Sequence, residues 1–445
     1  MLKRLILITC FCCTLFPCLG QTPTGFEALF NGKDLTGWRG GDTYDHRKLL
    51  SLPQVEQEAL IAKWNAKLIE LGNAVPHWSV IDNELVNDGN GSYATTIKDY
   101  GNFELLLDWK IAKGTDSGIY LRGVPQVQIW DTSMPDPHGF GTAMGSGGLW
   151  NNELTSPGRN PLVHADKPLG EWNHYRILMV GSRVSVWLND QLVVDHVVLE
   201  NYYDKALPAN KRLPIPARGP IELQTHGGRT WWRNLYIREI KSDEACEILA
   251  SHGAAGFKSI FDGKTLSGWA GPLDVVSLKN NSIVWQLKKG GTIYWNHELK
   301  DFESRVNFKL PAGGNNGLAI RYPGTGDTAY VGMCELQVLD DNYEKVKGKI
   351  DPRQAHGSAY GMVAAARGYQ NPIGEWNFQE SKIIGSKITV ELNGTVILNT
   401  DLSKVDMAEV LAHKKHPGKD RPTGFFGFAG HNDPVEFKDI LIKPL

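Results

Sequence analysis

Phe26-Glu-Ala-Leu-Phe-Asn-Gly-Lys-Asp-Leu-Thr-Gly-Trp38 returns 231 residues later as Phe257-Lys-Ser-Ile-Phe-Asp-Gly-Lys-Thr-Leu-Ser-Gly-Trp269. Further echoes follow in the same order. Ser117-Gly-Ile-Tyr-Leu-Arg122 is matched by Asn316-Gly-Leu-Ala-Ile-Arg321, Val127-Gln-Ile-Trp-Asp131 by Leu336-Gln-Val-Leu-Asp340, and Gly170-Glu-Trp-Asn173 by Gly374-Glu-Trp-Asn377. His226 and His431 close the two series, each just before a final strand. An ordered series of matches at a long fixed period means a duplicated domain. The offset drops from 231 to 199 by the Arg122/Arg321 pair, so the first copy carries about thirty extra residues. They are found at about 45–75, where Ser51 to Asn73 is rich in Glu, Ala, Leu and Lys at amphipathic spacing, which predicts one helix.

Outside that insertion the pattern is strand after strand. Phe103–Ile111, Ile177–Leu188 and Lys387–Leu398 alternate apolar and polar, and Asn189-Asp190 and Asn393-Gly394 fall where hairpin turns belong. The predicted fold is all-β: two tandem jelly-roll β-sandwiches, 21–241 and 257–445, joined by a small-residue linker at 242–256.

Lys3 and Arg4 precede an apolar run, Leu5 to Leu15, and then Cys18-Leu19-Gly20, so residues 1–20 read as a signal peptide. That places the mature protein outside the cytoplasm, in a bacterial periplasm or beyond, with no transmembrane segment. Only Cys246 and Cys334 remain after cleavage, too few for a disulfide framework. Cleavage takes the formal charge from −2 to −4, and the densest basic run, His413-Lys-Lys-His416, reads as a solvated turn. Nucleic acid is therefore not the expected partner. The 14 Trp, 14 Tyr and 48 Gly suit a β protein with aromatic faces for sugars, although cores use tryptophan too.

The motifs F-LFNGKDL-GW, GEWN, the LNG hairpin and GPI-LQ-HG resemble a bacterial family named the 3-keto-disaccharide hydrolase domain, first catalogued as a domain of unknown function. It is similar in fold to concanavalin A-like lectins and glucanases, and the likeness spans both halves. It implies cleavage of glycosides whose sugar has been oxidised to a 3-ketone by a partner glycoside 3-dehydrogenase. The first copy departs from the pattern in having Gln126 where the family has Glu; the second keeps it as Glu335.

Strand alternation puts Gln126, Gln128 and Trp130 on one face, and Glu335 and Gln337 on the matching face of the second copy. That face either lines a groove or is simply solvated. Glu222, Gln224 and His226 likewise share a face, where the second copy has Gly427, Ala429 and His431. The first copy is therefore expected to hold the main site. A 3-ketone acidifies the C2 proton, so a base can remove it and expel the C1 substituent, with hydration completing net hydrolysis. His226 has the ordinary pKa for acid–base work, and Asp131 or Glu222 could orient it. Arg122 with Gln128 could hold the developing oxyanion, and Arg321 borders the second groove. Trp150 and Tyr360 are either stacking platforms or loop anchors, and Asn152, Asp340 and His431 complete the binding candidates. No cofactor is required by this chemistry, although a divalent cation on Asp131, Glu222 and His226 could serve instead. A non-catalytic carbohydrate-binding protein is the alternative, and a scaffold for other cell-surface proteins a third.

Overall fold

The computed structural model describes residues 22–72, 75–136, 139–411 and 416–445. The leader at 1–20 and His413–Lys415 lie outside them. Each repeat forms two antiparallel sheets packed face to face. In the first copy a large sheet runs in the order Gln191–Val198, Arg183–Leu188, Asn173–Val180, Phe103–Ile111, Thr230–Glu239, Glu84–Asn87, Trp78–Ile81. A five-stranded sheet runs Val124–Trp130, Asp116–Leu121, Glu222–Leu223, Tyr93–Thr96, Trp38–Gly41. The second copy repeats both, its five-stranded sheet being Cys334–Leu339, Asn315–Tyr322, Phe425–Gly430, Gly291–Trp295, Trp269–Ala270. The chain is thus two tandem jelly-roll sandwiches, and the apolar halves of the alternating strands meet between the sheets. Leu105, Leu107 and Trp109 face Ile119, Val127 and Ile129 in one core, and Val306 and Phe308 face Leu318, Leu336 and Val338 in the other.

The insertion is two helices, His46–Ser51 and Gln54–Leu68, rather than one. Pro53 explains the break: it disfavours helical backbone at Leu52 and withholds an N–H from the ladder. Asp45 caps the first helix by accepting from the Arg47 N–H at 3.0 Å. The longer helix packs on the edge strand Trp38–Gly41, where Asn65 Oδ1 accepts from the Gly40 N–H at 2.7 Å.

The expected linker also holds a helix, Ser242–Ser251. Asp243 and Glu244 favour its positive N-terminus, and Ala245, Cys246 and Leu249 form an apolar stripe packed with Val180 of the first copy and Phe378 of the second. Beside it the sandwiches touch directly: the Ser182 N–H donates to the Gly394 carbonyl at 3.0 Å, and Arg183 Nε to Glu391 Oε1 at 3.1 Å. His416 is buried, its ring nitrogen Nδ1 3.1 Å from the Ala329 carbonyl, so that end of the basic run is not a solvated turn. Among the described residues no helix is long and apolar enough to cross a membrane.

Candidate functional site

The outer face of each five-stranded sheet carries the polar residues: Gln126, Gln128, Glu222 and Gln224 of the first copy and Glu335 and Gln337 of the second are buried there, while His226 and His431 are exposed. In the second copy they line a cavity of about 210 Å³ with Asn315, Asp327, Tyr330, Glu335, Gln337, Gln354, Tyr360 and His431 on its walls. Gln337 Nε2 donates to Asn315 Oδ1 at 2.7 Å, which fixes the amide against the neighbouring strand. Glu335 leans over Gly317, where any Cβ would collide with its carboxylate. Its Oε1 and that of Gln337 have no hydrogen-bond partner among the described residues. Burial, with a smaller contribution from Asp327, pushes the Glu335 carboxyl up to about 8. Tyr330 and Tyr360 meet edge to face with centroids 6.3 Å apart, and the Tyr360 hydroxyl accepts from Gln354 Nε2 at 2.9 Å. His431 stands exposed at the mouth, and desolvation on its cavity side lowers its pKa below the ordinary value against the opposing pull of Asp433 and Asp327. At neutral pH the cavity therefore holds a protonated carboxyl and a neutral imidazole, a matched acid and base.

The first copy is arranged differently. Gln126 Nε2 donates to Gln128 Oε1, Gln128 Nε2 to Asp116 Oδ1 at 2.7 Å, and Asp116 Oδ2 lies 2.9 Å from His226 Nδ1. The bond to Asp116 raises the His226 pKa against the opposing effect of partial burial. Glu222 is buried under the segment that enters the insertion, and burial pushes it up to about 8, with Arg39 opposing.

Several expected site residues lie elsewhere. Arg122 and Arg321 adopt left-handed backbone (φ 55° and 48°), which breaks the strand alternation and turns both side chains away from the groove face. Arg122 Nε donates to the Gly101 carbonyl at 2.8 Å and Nη2 to Asn102 Oδ1; Arg321 does the same to the Lys300 carbonyl and Asp301. They anchor chain crossings and hold no oxyanion. Asp131 does not orient His226. Its oxygens accept from the N–H groups of Gly114 at 2.8 Å and Ser133 at 2.9 Å, and Asp340 repeats the staple with Gly313 and Asn342, both at 2.8 Å. Asn152 is spent on Val198 and Glu200 backbone. Trp150 is a loop anchor: Nε1 donates to the Phe140 carbonyl, its edge contacts involve Trp130 and Phe140, and Arg159 covers its ring at 4.6 Å. Tyr360, by contrast, lines the second-copy cavity, as do Glu335, Gln337 and His431.

Asp131, Glu222 and His226 do not converge as metal ligands, and among the described residues no group of three or more His, Cys, Asp or Glu could hold an ion. Asp116 was missed by the sequence reading, although it stands one residue before the repeated Ser117–Arg122 run and two before Gly118 on the groove face. Asn315 occupies the same place in the second copy.

A family model described as the 3-keto-alpha-glucoside-1,2-lyase-like domain matches residues 25–238 and again 256–443. A 3-keto-disaccharide hydrolase of Bacteroides thetaiotaomicron is 28% identical over 251 residues, 47% of this chain and 86% of that protein. Two crystal structures from Parabacteroides distasonis, both described as candidate glycosyl hydrolases, are also similar. One is 28% identical with a TM-score of 0.38, covering 42% of this chain and 99% of the other. The second is 24% identical with a TM-score of 0.37, covering 43% and 95%. Because the family model accounts for both halves of the repeat, the chain belongs to the 3-keto-alpha-glucoside-1,2-lyase-like domain family and carries that domain twice.

Proposed function

We propose that the protein cleaves 3-keto-glycosides outside the cytoplasm, in the groove of its second copy. The observation that carries this is the pairing, in one cavity of sugar-ring size, of a carboxyl held protonated (Glu335) with an imidazole held neutral (His431). His431 takes the proton from C2. The electrons of that bond delocalise into the C3 ketone as an enolate and then expel the C1 oxygen, which receives the Glu335 proton. Water adds across the C1–C2 double bond, its hydroxyl to C1 and its proton to C2, completing net hydrolysis. Tyr360, held protonated by burial and positioned by Gln354, donates to the enolate oxygen, while Gln337 and Asn315 fix the ring edge. The substrate ketone is supplied by a separate glycoside 3-dehydrogenase.

A second reading places the base in the first copy, where Asp116 orients His226 at 2.9 Å. Product release from a 3-keto-β-glucoside and from its unoxidised parent, with wild type, His431→Ala, Glu335→Gln and His226→Ala, decides between them. Release from the keto-sugar alone, lost in the second-copy variants and kept in His226→Ala, supports the first reading. Loss only in His226→Ala moves the chemistry to the first copy. Binding without release in any protein leaves a lectin.

A further inference from the structure

On the groove face of the first copy, Thr95, Gln126, Glu222 and Gln224 are each no more than 6% exposed. Each nevertheless leaves one oxygen, Oγ1, Oε1, Oε2 and Oε1 respectively, without a hydrogen-bond partner among the described residues. Thr95 and Glu222 are register partners, and Gln224 follows two residues on along the same face. Gln126 reaches toward them across Gly118, whose missing side chain leaves the room. Two amide oxygens, a hydroxyl and a carboxyl held protonated by burial call together for a ligand that both donates and accepts. A polyhydroxylated ring does both; an apolar molecule does neither.

The chain entering the insertion lies over this set. The Thr43 hydroxyl sits 3.0 Å from the Tyr93 hydroxyl and 2.8 Å from that of Tyr120, and Tyr120 in turn is 3.5 Å from Gln224 Nε2. Gly41, just before Thr43, lies against Thr95 Oγ1 and Glu222 Oε2, so the cover sits directly on the unpartnered oxygens. The cover is fastened by Arg47, which donates to both oxygens of Asp204 at 3.1 and 2.7 Å while also holding Asp45. His46 adds a contact to Asp99 at 2.9 Å. The second copy lacks these residues, and its groove is open.

We propose that the first copy's groove is a second carbohydrate-binding site, held shut by the segment from Gly41 to Leu68 with Arg47–Asp204 as its latch. The proposal rests on reading these grooves as sugar sites, and is independent of the chemistry assigned to the second copy. Ligand affinity at such a site is reduced by the fraction of molecules that are open, so loosening the cover raises it.

The test is calorimetric titration of the full chain with 3-keto-glucose, comparing wild type, Thr43→Val and Arg47→Ala. Thr43→Val conserves shape and leaves the latch in place, so the result does not depend on how Arg47→Ala folds. The expected result is one additional equivalent bound by the variants, at least about tenfold tighter than any first-copy binding in wild type. Adding Glu222→Leu to Thr43→Val should abolish that gain. An unchanged number of equivalents in both variants, or a gain that survives Glu222→Leu, overturns the proposal. Binding by wild type at its second groove is read separately, so loss of that signal counts against the catalytic reading and not against the gate.

Discussion

Gly317 lies directly beneath Glu335, and a Cβ at that position would overlap the carboxylate. The same relation holds in the first copy, where a Cβ on Gly118 would stand 2.9 Å from Gln126 Cδ. In each sandwich a bare position on one strand lets a long polar side chain of the next lie flat across the sheet. Gly317→Ala should therefore displace Glu335 and lower kcat by about tenfold or more, at a stability cost of about 1–3 kcal/mol. Steady-state kinetics alongside a thermal melt check this; unchanged kcat would mean that the carboxyl does not act from this position.

Activity should be bounded by both titrating groups. Glu335 serves as acid only while protonated, so turnover should fall as pH rises through about 8. His431 serves as base only while neutral, and its lowered pKa keeps the acid limb below the ordinary histidine range. A pH–rate profile of wild type against Glu335→Gln tests this, since the variant should lose the alkaline limb along with most of its rate.

Stability should depend on pH through the same carboxyl and its first-copy counterpart. Burial pushes Glu222 and Glu335 both up to about 8 when folded, against 4.5 for an ordinary glutamate carboxyl, so the folded chain binds more protons in that window. The stabilisation is complete below 4.5 and is lost as pH rises toward 8, on the order of a few kcal/mol for each group. Denaturant midpoints across that range should decline in wild type and flatten in the Glu222→Gln/Glu335→Gln double variant.

Arg122→Met should act on stability and not on the second groove. It strips donors from the Gly101 and Pro216 carbonyls and from Asn102, which should cost about 2–4 kcal/mol. A lower melting temperature with unchanged KM is the expected pair of readings.

Beside the Arg183–Glu391 pair, one contact between the sandwiches is backbone on backbone. A Cβ on Gly394 would meet the Val180 carbonyl at 2.5 Å, and this glycine also has φ +80°. Gly394→Ala should loosen the docking and split a single calorimetric transition into two; a single unshifted transition would show that the helix Ser242–Ser251 and the Arg183–Glu391 pair hold the copies together without this contact.

Strand periodicity and duplication were legible because each is a local property repeated along the chain. The polar faces carrying Gln126, Gln128, Glu335 and Gln337 follow from alternation alone, and the structure keeps them on one side. Position at a strand end misled at Arg122 and Arg321, because each adopts left-handed backbone that turns its side chain away from the groove, and no residue type there announces that conformation. Asp131 and Asp340 misled for another reason. A carboxylate at a strand end serves a backbone turn as readily as a substrate, and the choice depends on which N–H groups the neighbouring loop presents.

By itself the sequence determined that there are two copies, that each is a lectin-like sandwich, and that the first has an insertion the second lacks. Those features are written in spacing, and spacing survives in one dimension. Only the tertiary structure decided that His226 belongs with Asp116, that Glu335 and His431 share a cavity, and that the insertion covers Glu222. These relations join residues far apart in the chain, and each sets its electrostatics by how much water and which charges surround it. Burial and proximity are properties of the folded surface, and no local pattern encodes them.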